Sequence, residues 1–208
     1  FESGASYTAT TTTVNSGSAR FNAGASVNLT DVSVAGTGGL QLSNGAAHTL
    51  DSLTISGYGS LAGTSDLLVT GLLDWSSTNG NSFIGTSGTV TAAGGTALNG
   101  PNDMWLDSQA TLINPTGQTA NFTGGRILLY GTYNNETGAT FNSTLGSGIT
   151  GNGTFNNAGS FNVANTSNGT TSVNSDFNNT GTVDVQSGSL RLQGNGVHTG
   201  DFDGTGAL

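Results

Sequence analysis

The chain has 208 residues, of which 35 are glycine, 12 are acidic and only three, all arginine, carry a permanent positive side-chain charge. Charged residues make up 7% of the chain, against about 25% in an average globular domain. The formal net charge is −9 and leaves no basic patch that could bind phosphates. We therefore expect no nucleic-acid partner. Without lysine or cysteine, lysine-bearing phosphate loops, Schiff-base chemistry, thiol nucleophiles and disulfides are excluded. We predict no enzymatic activity and no cofactor.

Short strands separated by glycine-bearing turns are predicted for the first half of the chain, residues 1–110. Apolar residues alternate over a few positions and are then interrupted by Gly, Asn or Ser. Clear cases are Val27-x-Leu29, Val32-x-Val34, Leu40-x-Leu42 and Leu53-x-Ile55. Because no run approaches about 18 apolar residues, we expect no insertion into a membrane.

An internal repeat is visible in the second half, residues 111–208, with a period of about 21–22 residues. The segment 155–163 (FNNAGSFNV) aligns with 177–185 (FNNTGTVDV) when the chain is shifted by one such period. A related segment begins at Tyr133, and a looser copy begins at Leu112. A period of this length with several short strands is typical of one coil of a β-solenoid.

The sequence therefore predicts an all-β fold, a parallel β-helix that forms a single domain over residues 1–208, with irregular coils over 1–110 and regular repeats over 111–208. We expect roughly nine or ten coils. Stacking of equivalent positions predicts an aromatic ladder inside the solenoid and an amide ladder at a turn. The ladder residues are Tyr133, Phe155 and Phe177, with Asn134, Asn135, Asn156, Asn157, Asn178 and Asn179. An antiparallel β-sandwich is the alternative.

Two stretches, Gly57–Gly71 and Thr180–Leu192, resemble the repeat-built passenger regions of bacterial surface proteins of the autotransporter and filamentous-haemagglutinin type. The resemblance implies that the β-helix is right-handed and that the protein is secreted to the cell exterior or cell surface. It also implies a role in adhesion, surface coating or a biofilm matrix. The chain starts at Phe1 rather than at methionine, which indicates a processed protein or a fragment.

The most unusual stretch is Pro101–Thr116, the longest run in the chain without glycine. Asp103 and Asp107 flank Trp105 there, and the spacing of four residues on a strand-like segment places both carboxylates on one side. An indole platform with two acids is what a carbohydrate site uses, either for contact or as an acid/base pair. The competing interpretation is that Trp105 and Leu106 fill the core while the aspartates face water.

Other candidates have structural explanations. His48 and His198 each stand three residues before an aspartate, which favours a turn over a proton-transfer pair or half of a metal site, and we predict no metal site. The pair Asp201 and Asp203 lacks the further ligands of a calcium loop, although calcium at a coil edge stays open. The spacing Thr8-x-Thr10-x-Thr12 is similar to the threonine rows of ice-binding solenoids, but we see no such row on successive coils.

We therefore predict an extracellular structural or adhesive solenoid. No capping helix is visible at either end, so we expect self-association, with the segment 7–14 adding to the sheet of a neighbour and coils stacking end to end into filaments. Surface glycans are the other expected partners. The alternative function is a carbohydrate-binding or carbohydrate-cleaving β-helix module.

Overall fold

The computed structural model describes the backbone of residues 1–208 and the side chains of residues 1–166 and 168–208. Apart from one short 3-10 helix, Thr166–Asn168, its regular elements are β-strands. In chain order the strands are β1 (Ser6–Phe21), β2 (Ser26–Leu42), β3 (His48–Leu50), β4 (Ser52–Ile55), β5 (Ser60–Gly63), β6 (Leu67–Val69), β7 (Leu73–Ser76), β8 (Ser82–Thr86), β9 (Thr89–Ala92), β10 (Thr96–Asn99), β11 (Asp103–Leu106), β12 (Thr111–Asn114), β13 (Thr119–Phe122), β14 (Arg126–Leu129), β15 (Thr132–Asn135), β16 (Thr140–Ser143), β17 (Gly148–Thr150), β18 (Thr154–Asn157), β19 (Ser160–Ala164), β20 (Thr170–Val173), β21 (Asp176–Asn179), β22 (Thr182–Ser187), β23 (Ser189–Leu192) and β24 (Asp201–Gly204).

The strands stack in parallel on three faces. The first face contains β4, β7, β10, β13, β16, β19, β22 and β24. The second face contains β5, β8, β11, β14, β17, β20 and β23. The third face contains β3, β6, β9, β12, β15, β18 and β21. The longer β2 pairs with both β4 and β5 and so joins the first two faces.

The prediction of a β-solenoid is confirmed, with about nine coils. Every pairing between the described strands is parallel, which excludes the antiparallel sandwich. The coil length is less regular than the sequence repeat. The step from Thr182 to its partner Asp201 is shorter than one repeat, whereas the step from Thr96 to its partner Ala120 is longer. These differences in length lie in the turns, and within the described strand pairs the register shifts only between Val14 and Ser16 and between Val163 and Ala164.

Alternation within each strand separates the core from the surface. In β15 the exposure pattern puts Tyr133 and Asn135 inside and Thr132 and Asn134 outside. Successive side chains of a strand point to opposite faces of a sheet, so a four-residue strand contributes two residues to the core. The three inward rows together enclose one continuous apolar core that runs along the solenoid axis.

Aromatic side chains stack along this core. The rings of Tyr133 and Phe155 lie parallel with their centroids 4.8 Å apart, and Phe177 follows at 5.5 Å from Phe155. A second stack joins Phe141 and Phe161 at 5.1 Å. The two stacks meet edge to face, a favoured geometry for aromatic pairs. Burial raises the pKa of the Tyr133 hydroxyl far above its usual range.

A buried amide ladder runs beside the aromatic stack. Asn114 donates from Nδ2 to Oδ1 of Asn135 at 2.8 Å, Asn135 donates in the same way to Asn157 at 2.7 Å, and Asn157 to Asn179 at 2.8 Å. The second hydrogen of each Nδ2 reaches a backbone carbonyl at the start of a first-face strand, such as Thr182 O at 3.1 Å from Asn157. These side chains thereby provide hydrogen-bond donors for backbone carbonyls at the turn that leads from the third face to the first.

A second amide ladder lies on the outside of the third face. Asn156 donates to Asn134 at 2.9 Å, and Asn178 donates to Asn156 at 2.9 Å. These amides are only partly buried, so water can replace a lost partner there. The inner and outer ladders thus have the same chemistry in different environments.

His48 is the one buried histidine among the described side chains and lies in the third-face core at 5% exposure. Its Nε2 is 2.8 Å from Oδ1 of Asn44, which also accepts a hydrogen bond from Ser65 Oγ at 3.2 Å. Its hydrogen-bond partner is therefore Asn44 and not the aspartate three residues later. Burial lowers the pKa of His48 below its ordinary value of 6.5.

We expect Asn157→Ala to lower the free energy of unfolding by about 1–3 kcal/mol, because it leaves buried groups of Asn135 and Asn179 without their partner. The matched control Asn156→Ala removes a side chain from the partly exposed ladder and should cost clearly less. Urea unfolding of both variants followed by circular dichroism measures the difference. Equal losses would contradict the role given to the buried ladder.

Stability should fall as the pH decreases from about 7.5 to about 5.5. Burial makes the pKa of His48 lower in the folded state than the value of 6.5 in the unfolded chain, so the unfolded state binds more protons in this window. The contribution is complete above the unfolded pKa and is lost as the pH falls from there through the folded pKa. Urea unfolding across the window should show this loss, and His48→Gln should reduce it. The variant of the exposed histidine, His198→Gln, should retain it, and an unchanged pH profile in His48→Gln would show the explanation to be wrong.

Candidate functional site

An aromatic row crosses the outside of the second face. Phe83 of β8 and Trp105 of β11 are paired in register, and their ring centroids are 5.5 Å apart. Tyr130, which follows β14, lies 5.6 Å from Trp105. Three successive coils thus each contribute one aromatic ring. Phe83 and Trp105 are partly exposed, which distinguishes this row from the stacks in the core.

A hollow of about 430 Å³ lies beside Phe83 and Trp105. Its other lining residues are Ser60, Leu61, Ala62, Gly85 and Asp107. Ala62 pairs with Gly85, so two small residues lie one above the other where larger ones would fill the space. The hollow combines an aromatic wall, a nearly flat floor and one carboxylate.

Asp103 is already neutralised by a neighbour on the next coil. Arg126 donates from Nε to Oδ1 and from Nη2 to Oδ2 of Asp103, both at 2.9 Å. This bidentate pair raises the pKa of Arg126. The two side chains border a wider depression of about 770 Å³ at the corner between the first and second faces. The negative charge of Asp103 is therefore compensated by Arg126.

Asp107 is in a different situation. It follows β11 and is exposed, and its Oδ1 accepts the backbone N–H of Ser108 at 2.7 Å. The other oxygen, Oδ2, lies on the side of Gly85, 3.6 Å from the position that a Cβ would take there. Among the described side chains, no cation is paired with this carboxylate.

The three residues that the sequence singled out, Asp103, Trp105 and Asp107, therefore all lie on the outer side of one face. Trp105 is not a core residue, whereas Leu106 is fully buried, and so is the other tryptophan, Trp75. The two aspartates have different surroundings, because Asp103 is paired with Arg126 whereas Asp107 borders the hollow.

Phe83, Gly85 and Tyr130 were not identified from the sequence. The step from Phe83 to its partner Trp105 equals the period found in the second half of the chain, so that period, applied to the first half, would have aligned the two rings. Gly85 could not be distinguished by composition in a chain with 35 glycines.

The remaining candidates lie apart from this site. His198 is exposed and forms an isolated parallel β-bridge with Asn179, and its ring lies between those of Phe177 and Phe202 beyond the end of the core stack. Among the residues with described side chains, no group of three or more His, Asp or Glu is arranged to hold a metal ion. In the same part of the chain, no helix is long and apolar enough to span a membrane.

The row Thr8-x-Thr10-x-Thr12 is not repeated on the next coil, where Thr8 pairs with Asn28 and Thr12 with Val32, but a column of single threonines is present elsewhere. Thr89, Thr111, Thr132 and Thr154 follow one another on the outside of the third face. The adjacent outward column is mixed and includes Ile113 between Thr91 and Asn134. The threonine row is therefore a single column and has no second threonine column beside it.

Comparisons with known protein families, with curated proteins and with solved structures gave no match for this chain.

Proposed function

We propose that the protein is an extracellular structural and adhesive solenoid of a cell surface or matrix. The observation that carries the proposal is the continuous coil-to-coil stacking from β1 to β24. About nine coils, each rising roughly 4.8 Å, give a short stiff rod. Resistance along the axis comes from the backbone ladders of three faces and from the amide ladders, including one on the first face in which Asn142 donates to Asn121 and Asn162 donates to Asn142. Such a rod can hold a surface or a partner at a fixed distance.

Most of the outer surface offers hydrogen bonds and apolar contacts to a partner rather than attraction between charges. Outward positions of the strands carry mainly hydroxyl and amide groups, as in the threonine and asparagine columns of the third face. Screening by salt weakens interactions between exposed charges but has little effect on hydrogen bonds and apolar contacts. Adhesion through these hydroxyl and amide columns should therefore persist at high salt.

The adhesive role is tested with beads coated at equal density with the folded protein or with Phe155→Asp. The substitution places a charge in the core, where Phe155 is fully buried, and should prevent folding. We expect the folded protein to retain beads under flow on host cells or extracted matrix, at low and at high salt. Equal retention by the unfolded variant would refute a role for the solenoid surface.

Antibody labelling of intact host cells tests the extracellular location. Labelling only after permeabilisation would refute that location.

Self-association end to end is part of the same proposal. β1 is 16 residues long and pairs with β2 along one edge, and within the described residues no strand pairs with its other edge. Unpaired strand edges are templates for addition of another strand. A second copy that adds to this edge would continue the parallel stack.

Electron microscopy and sedimentation over a range of protein concentrations test this association. We expect fibres whose axial repeat is a multiple of about 4.8 Å, the distance between strands. Rods of a single molecule's length at every concentration would contradict the filament and leave the adhesive surface to be tested by the beads.

A further inference from the structure

The hollow on the second face is kept open by a glycine that the backbone does not require. Most glycines at the turns have no room for a side chain; at Gly151, for example, φ is +135° and a Cβ would overlap the Leu129 carbonyl. Gly85 differs, because its φ is not in the left-handed region and a Cβ there would be 3.6 Å from its nearest neighbour. A Cβ would therefore be accommodated, and a longer side chain at this position would extend into the hollow.

Its dimensions are those of a ligand site. Pockets for small molecules are about 300–1,000 Å³, and the hollow of about 430 Å³ lies in this range. Phe83 and Trp105 supply apolar ring surface on one side. Such surface favours a ligand with a flat apolar side, including the C–H side of a pyranose ring, and it also attracts cations.

The charge of the hollow selects among such ligands. Asp107 is its only carboxylate and is not paired with a cation among the described side chains, whereas Asp103 on the same strand face is neutralised by Arg126. The net charge of −9 opposes binding of an acidic sugar. A carboxylate beside aromatic rings is complementary to a protonated amine.

We propose that this hollow binds an amino sugar, with the pyranose ring against Phe83 and Trp105 and the ammonium group on Oδ2 of Asp107. The inference rests on the proposed adhesive function, to which it gives a ligand class. Ser60 lines the hollow and offers a hydroxyl for a sugar hydroxyl. The aromatic wall supplies contact area, and the carboxylate supplies the selectivity.

The test is isothermal titration calorimetry of the purified protein with a glucosamine disaccharide and with the same disaccharide N-acetylated. Acetylation removes the positive charge and leaves the sugar rings unchanged. The test variants are Asp107→Asn, Trp105→Ala and Gly85→Ile. Melting temperature and circular dichroism identify any variant that fails to fold.

Two control variants match the chemistry of the test variants. Asp203→Asn removes the same charge from an exposed aspartate whose Oδ1 also accepts the next backbone N–H at 2.7 Å. Gly148→Ile adds the same side chain on the second face, at a glycine where a Cβ would again be 3.6 Å from its nearest neighbour. Each control therefore keeps the global charge or the added bulk of its test variant but leaves the hollow intact.

We expect the glucosamine disaccharide to bind and the N-acetylated form to bind about tenfold more weakly or not at all, as should Asp107→Asn with the amine. Gly85→Ile and Trp105→Ala should lose binding, and both controls should retain it. Equal affinity for the two disaccharides, equal loss in Asp203→Asn, or binding retained in folded Gly85→Ile would overturn the proposal. If the folded protein binds neither disaccharide but still retains beads on cells, the hollow fails and the adhesive function stands.

Discussion

Parallel stacking in register is the constraint on which the rest of this structure depends. Each residue lies directly above its equivalent in the preceding coil, so the same side chain repeated along the chain becomes a column in space. In a column of asparagines each amide donates to the next and accepts from the preceding one, so in the buried ladder only the terminal Oδ1, that of Asn114, is left without a partner among the described side chains. The ladder through Asn135, Asn157 and Asn179 can be buried for this reason. An isolated asparagine at the same depth would leave polar atoms without partners.

The same column in earlier coils is apolar, which shows what the amides add. Leu50, Val69 and Ala92 occupy the corresponding inward positions before Asn114. Apolar residues fill the core there but cannot bond to the turn. From Asn114 onwards the side-chain amide also donates a hydrogen bond to a backbone carbonyl of the first face. The change from apolar to amide coincides with the start of the regular repeat.

The part of the fold that could be predicted from the sequence is the part where stacking leaves a visible repeat. The segments beginning at Phe155 and Phe177 match because the rings and the paired asparagines need equal neighbours above and below. In the first half, apolar residues of different shape are interchangeable in the core, so alternation is visible but register is not. Coils of unequal length, such as the long one that separates Thr96 from Ala120, remove the fixed offset that would have supplied the register.

The candidate site shows the same division. Trp105 and Asp107 could be recognised from the local sequence, whereas the other wall and the floor come from the preceding coil, in Phe83 and Gly85. Arg126, which neutralises Asp103, comes from the following coil. Neither neighbour stands near the aspartates in sequence. The neighbouring residues of such a surface come from different coils, so the chemical character of a site can be predicted only when the register between coils is known.

The variable turns have a consequence for how such a chain can change. Residues added between Leu98 and Ala120 make one coil longer than the repeat while the strands on either side keep their pairing. The corners therefore separate two kinds of position, those that must match their neighbours along the axis and those that need not. A peptide epitope or a binding loop grafted at a corner would be displayed at a defined height on a rod whose three faces remain as they are. The strands thus fix a series of heights about 4.8 Å apart along the axis, and the turns between the faces are positions where a segment can be attached at one of these heights.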